Sequence, residues 1–212
     1  MLFRPKVTGL EHIPQQGGAV LAANHVSFLD PLLLPLVVPR RILFLTKVKY
    51  IDNPVLHWVL TGAGVIPVAS DDPQALTAVV AACVAALSEG RLVGVFPEGT
   101  RSRDGLLHQG KTGIARMAVA AGVPVIPAGI TGTELALPRG ALLPRPHVVH
   151  ITFGPPITLH APADMPADAA ASRAATDQVM TAIAALSGQK IAALTTLVSQ
   201  PPSPVRYALV LR

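Results

Sequence analysis

Apolar residues along this chain recur in two rhythms, short runs suited to strands and longer stretches with helical spacing. The short runs predict strands at residues 18–24, 42–47, 65–68, 92–96, 123–130 and 148–153. Between them, helices are predicted at residues 27–38, 53–60, 73–89, 111–121 and 167–186. The third of these has clear ends, because Asp72 can cap it, Pro73 suits a first helical position and Gly90 stops it. Strands alternating with helices predict an α/β fold, a single domain whose largely parallel or mixed central sheet is flanked by helices.

At 212 residues the chain is long enough for one domain with a large core. The pattern weakens after Pro155-Pro156, so residues 1–160 are expected to form the main domain. Residues 161–212 then form a C-terminal helix and a tail with Pro201-Pro202-Ser203-Pro204, packing on or trailing the same domain. Half of the residues are hydrophobic and only 14% are charged, against ~25% in ordinary soluble domains, so the surface calls for a lipid or protein partner. The richest apolar run, residues 31–38, is shorter than the ~20 residues a spanning helix needs and is broken by Pro35. With no secretory signal pattern at the N-terminus either, the expected address is cytoplasmic, peripheral on the inner face of the membrane.

The single Cys83 lies in an Ala/Val-rich helical pattern and reads as a buried hydrophobe; no second cysteine is present for a disulfide or a cysteine-based metal site. A net charge of +5 favours anionic partners. Aromatic residues make up only 4%, too few for base-stacking platforms, and the basic residues form no long run, so nucleic acid is not expected. Anionic lipid or a phosphate-bearing cofactor remains.

Two segments carry candidate chemistry, Asn24-His25-Val26-Ser27-Phe28-Leu29-Asp30 and Phe96-Pro97-Glu98-Gly99-Thr100-Arg101-Ser102. Each follows a predicted strand, and open α/β sheets bind ligands beyond the carboxyl ends of their strands. On a regular helix, residues five apart do not face each other. At a strand–turn–helix junction, however, Asp30 can fold back to accept the second imidazole N–H of His25, fixing its tautomer and stabilising its cation. The alternative is structural, with Ser27 capping the helix and Asp30 completing a variant capping box. In the second segment, Gly99 permits close backbone approach, Thr100 offers a hydroxyl and Arg101 can grip a phosphate with two N–H groups. Lys111, at the predicted start of the next helix, adds a point charge. The alternative there is a surface loop in which Glu98 and Arg101 pair.

The two segments, in this order, resemble the glycerolipid acyltransferase family, typified by the bacterial 1-acylglycerol-3-phosphate acyltransferases. Residues 24–30 match its first block and residues 96–102 its third, while Gly110-Lys111-Thr112-Gly113 and Val123-Pro124-Val125-Ile126-Pro127 match later segments. The resemblance spans roughly residues 7–156. It implies a glycerol-3-phosphate acyltransferase-like fold, His25 as general base and Asp30 as its orienting partner. It further implies acceptor and phosphate binding by Glu98, Gly99, Thr100, Arg101 and Lys111, and an acyl-site region at Val125, Ile126 and Pro127. Acyl-CoA or acyl carrier protein would be the donor and a lysolipid the acceptor, with no metal and no cofactor. One departure concerns the second block, which commonly ends in a phosphate-binding arginine where this chain has Ser70. A different lysolipid acceptor, an acyl thioesterase and a non-catalytic lipid-binding module are the rival readings.

Overall fold

The computed structural model describes residues 3–47, 65–68, 73–141, 143–160 and 169–193. Among them, seven strands form one sheet: β1 (Phe3–Thr8), β2 (Ala19–Ala23), β3 (Ile42–Lys47), β4 (Val65–Val68), β5 (Leu92–Val95), β6 (Val125–Thr131) and β7 (His147–Phe153). Their order is β1-β7-β6-β2-β5-β3-β4. The five strands from β6 to β4 are parallel, so their carboxyl ends share one edge. β7 runs antiparallel to β6 and β1 parallel to β7, which makes the sheet mixed. Helices α1 (Asp30–Val37), α2 (Pro73–Ser88), α3 (Gly113–Ala121) and α5 (Ala169–Ser187) flank it, and α4 (Thr133–Ala136) is a single turn.

The central strands are apolar at every position because both of their faces are covered, the usual state of parallel sheets. Side chains alternate across the sheet. Leu21, Ala23, Leu92, Ile126 and Ile130 join Leu29, Leu33 and Leu34 around α1 on one face. Val20, Ala22, Val93 and Val125 join residues of α2, α3 and α5 on the other, among them Leu87, Met117 and Ile183. Cys83 belongs to this second cluster, and burial pushes its thiol up to about 11, as expected of a small core residue.

The pattern located the central strands to within a few residues but not every element. The helix expected from residue 27 begins at Asp30, because a turn at Ser27 to Leu29 comes first and the Asp30 carboxylate takes the N–H groups of Val26 and Ser27. The helix expected from Lys111 begins at Gly113. Edge strand β1 was not anticipated: Pro5 breaks the strand pattern there, and a proline is tolerated only because β1 pairs on one side. Single-turn α4 was too short to leave a periodic signal. The helix expected at residues 53–60, Ser70 and the proline-rich tail lie outside the described residues.

Close packing of α5 on β6 depends on Gly129, where a Cβ would stand 2.4 Å from the backbone carbon of Leu186 and 2.5 Å from the backbone nitrogen of Ser187. Backbone cannot swing aside as a side chain does. Gly129→Ala is expected to destabilise the fold by about 1–3 kcal/mol, the usual cost of overpacking. Urea titration followed by circular dichroism measures this; an unchanged midpoint would show that α5 is not seated as described.

Candidate active site

Parallel β2 and β5 are direct neighbours, so their carboxyl ends bring residues 24–30 and 96–102 together. Backbone bonds join the two segments, since the N–H of Ser102 donates to the carbonyl of His25 at 2.8 Å. Seventy-odd residues of sequence separation vanish at one sheet edge.

His25 Nδ1 lies 2.9 Å from Asp30 Oδ2, the fold-back that the strand–turn–helix junction permits. A carboxylate can only accept here, so Nδ1 carries the proton and Nε2 keeps its lone pair as a base. Asp30 is fully buried, and such a charge is tolerable only when its oxygens are paired. Oδ2 also accepts the N–H groups of Val26 and Ser27, each at 2.8 Å, while Oδ1 accepts the hydroxyl of Thr133 at 2.6 Å. Orientation of the base and local turn formation thus use the same carboxylate. The two readings coexist in part: Asp30 accepts the Ser27 N–H as a capping box would and holds the imidazole at once, whereas the helix N-cap is Leu29 and not Ser27. The imidazole keeps 16% of its surface exposed and stacks on Phe96, with ring centroids 4.1 Å apart. Phe44 stacks behind Phe96 at 6.0 Å, and the ring fits because β5 has Gly94 beneath it, where a Cβ would be 2.5 Å from the Phe44 ring.

The second segment is a rigid turn. Gly99 has φ +70, and a Cβ there would come within 2.9 Å of Lys111 Cε, so the Lys111 stem lies against the turn. Lys111 is anchored by its N–H, which donates to the Pro97 carbonyl at 2.8 Å. Thr100 is exposed, and the Arg101 guanidinium is 5.9 Å from the Phe28 ring centroid, in range of a cation–π contact. Glu98 is not paired with Arg101. Buried at 7% exposure, its Oε2 accepts the His25 N–H at 3.3 Å and its Oε1 the His108 N–H at 2.9 Å. It fixes the turn to the base. Burial holds its pKa above the ordinary 4.5, although the N–H groups of His108 and His25 pull the other way.

Val125, Ile126 and Pro127 occupy the buried interior of β6, with Val125 and Ile126 at 0% exposure. Enclosed between the helical layers, they back the site from within the core.

Three functional residues escaped the sequence reading. Asn24, fully buried, accepts the N–H of Ile130 at 2.7 Å and donates to its carbonyl at 2.8 Å, extending the β2–β6 ladder by a side chain. Its remaining N–H donates to Gln189 Oε1 at 2.7 Å, and Gln189 donates to the Gly105 carbonyl at 2.9 Å. The segment after α5 also pairs with the loop directly, the Leu107 N–H donating to Lys190 and the Ala192 N–H to Leu107, both at 2.9 Å. Thr133, on Asp30, completes the set. Asn24 had one signal, a polar residue ending an apolar strand; Thr133 and Gln189 had none.

The raised pKa of Glu98 has a signed consequence. Between 4.5 and its folded value the native state binds more protons than the unfolded state, so this contribution to stability is present below 4.5 and is lost as pH rises through the folded pKa. The Glu98 carboxyl ¹³C resonance is expected to titrate above the ordinary range, and Glu98→Gln should remove that part of the pH dependence of unfolding. Titration at or below the ordinary value would overturn the assignment.

Compared with known proteins, residues 4–131 match the Acyltransferase family. A chloroplastic 1-acyl-sn-glycerol-3-phosphate acyltransferase of Brassica napus is 34% identical over 140 residues, 66% of this chain and 40% of that protein. A 1-acyl-sn-glycerol-3-phosphate acyltransferase of Borreliella burgdorferi is 32% identical over 128 residues, 60% of this chain and 51% of its own length. The chain therefore spans about half or less of these relatives. The crystal structure of the 1-acyl-sn-glycerophosphate acyltransferase PlsC from Thermotoga maritima superposes with a TM-score of 0.67 at 26% identity, covering 86% of this chain and 71% of that one. Because the matched region holds both the His25–Asp30 pair and the turn that Glu98 fastens to it, the chain belongs to the acyltransferase family.

Proposed function

We propose that this protein transfers a fatty acyl group from a thioester, acyl-CoA or acyl carrier protein, to the free hydroxyl of 1-acylglycerol-3-phosphate, forming phosphatidic acid in phospholipid synthesis. The observation that carries the reading is the 2.9 Å bond from His25 to a buried, four-times hydrogen-bonded Asp30, which leaves Nε2 as the open nitrogen. The acceptor class is supported by the names of the relatives described above.

In this mechanism Nε2 of His25 removes the acceptor hydroxyl proton as the oxygen attacks the thioester carbonyl. The tetrahedral intermediate collapses, the C–S bond breaks, and the His25 imidazolium returns its proton to the departing thiolate. Asp30 stabilises that cation while it lasts. A thioester is already electrophilic, so one positioned base suffices, and this reading assigns no metal or organic cofactor. Exposed Thr100 and Lys111 and half-buried Arg101 bind the acceptor, Arg101 on its phosphate, with Glu98 and Gly99 shaping the turn that presents them. Lipid substrates place the enzyme peripherally on the inner face of the cytoplasmic membrane; among the described residues no helix is long and apolar enough to cross a membrane.

The test supplies long-chain acyl-CoA or acyl carrier protein with a panel of lysolipids in mixed micelles. Phosphatidic acid is expected from lysophosphatidic acid, with His25→Ala and Asp30→Asn each lowering kcat by about 10²–10⁴-fold while thermal melting confirms folding. Thioester consumed equally fast without an acceptor would replace transfer by hydrolysis. Transfer undiminished in His25→Ala would remove the proposed base.

A further inference from the structure

Beside the base lies a concavity of about 330 Å³. It is bounded by Val26 and Ser27 on one side and by Ile130 and Thr131 at the end of β6 on another, whereas the His25 ring stacks over Phe96 at the end of β5. The loop after β5 supplies a further part of the wall through Arg101, Ser102, Arg103 and Gly105, so the cleft adjoins the β2–α1 turn that carries the imidazole. Its volume falls at the small end of ligand pockets, which run ~300–1,000 Å³.

Three arginines line it, Arg101, Arg103 and Arg139, against one carboxylate, Glu134. Among the described residues, none of the three guanidinium groups has a hydrogen-bonding carbonyl or carboxylate partner; Arg101 has its aromatic contact with Phe28. Three cations lining one concavity repel each other and attract an anion with several acceptor oxygens. Ser102 and Gln189 add polar groups at the rim, and Gln189 is fixed there by Asn24 and Gly105. Arg139 follows α4, whose Thr133 holds Asp30, so the third cation is presented by the same structure that supports the base. It lies outside residues 4–131, the region matched to the family.

We propose that Arg139 is a phosphate-binding residue, closing with Arg101 and Arg103 a subsite for a phosphate group of one of the two substrates. The inference rests on the acyl-transfer reading for its place in a reaction, but not for the binding itself. Phosphate is common to the lysolipid head group and to CoA, and the two sources are separable.

Isothermal titration of the full chain with glycerol phosphate and, separately, with adenosine bisphosphate tests the site without any turnover. Wild type is expected to bind at least one probe, and Arg139→Gln to weaken that binding by about three- to tenfold, the range for a partly exposed charge-assisted contact. Arg139→Lys should retain most of it, and Glu134→Gln should tighten it by relieving repulsion. In turnover, the same Arg139→Gln change should raise KM for lysophosphatidic acid if glycerol phosphate is the ligand, or for acyl-CoA if adenosine bisphosphate is, with kcat within about twofold. Failure of wild type to bind either probe overturns the subsite, as does Arg139→Gln binding as wild type does. A wild-type protein that binds a probe but acylates no acceptor leaves the subsite standing and overturns the acyl-transfer reading instead.

Discussion

The Asp30 carboxylate is the constraint on which the site depends. A fully buried carboxylate left unpaired would cost several kcal/mol, so each of its four donors is under pressure to stay in place. Those donors come from the end of β2, the turn before α1 and the start of α4. Aligning the imidazole is therefore coupled to folding of three local structures. The arrangement also fits where α1 starts: the carboxylate turned back takes the N–H groups of Val26 and Ser27, and helical bonding begins at the Leu29 carbonyl, which accepts the Leu33 N–H at 2.9 Å.

A second constraint acts on the loop between β5 and α3, which carries Glu98 to Lys111 and has little regular structure of its own. Its order is imposed from outside. Glu98 ties its start to the His25 N–H, the segment around Lys190 pairs with Leu107, and Arg173 of α5 donates to the Gly110 carbonyl at 2.6 Å. Gly110 itself admits α5 closely, as a Cβ there would be 2.7 Å from Met180 Sδ. Positioning of the turn is thus shared with residues beyond the region that matches the family, although the motif residues lie within it.

What the sequence made legible follows from this division. Unbroken apolar runs marked β2, β5 and β6 because burial on both faces leaves no polar position, and His25, Asp30 and Arg101 were readable from residue type and order. Partners created only by tertiary contact were not: Thr133 is 103 positions from Asp30, and Gln189 is 165 from Asn24. Glu98 was readable as an acid near the base but not as a strut, since nothing in its neighbours in sequence announces that two backbone N–H groups will claim both oxygens. Val125 and Ile126 were assigned to an acyl site because their segment matches a family block, yet their burial follows simply from the central place of β6.

Strand order then accounts for the two-sided character of the site. With β2 between β6 and β5, a residue leaving β2 can turn its side chain toward either neighbour. His25 goes toward β5, where Phe96 provides an apolar ring against the imidazole face. Asn24 goes toward β6, where it closes the ladder at Ile130. In the proposed mechanism the charge developing on His25 is answered by Asp30, while the arginines that line the neighbouring cleft attract a phosphate.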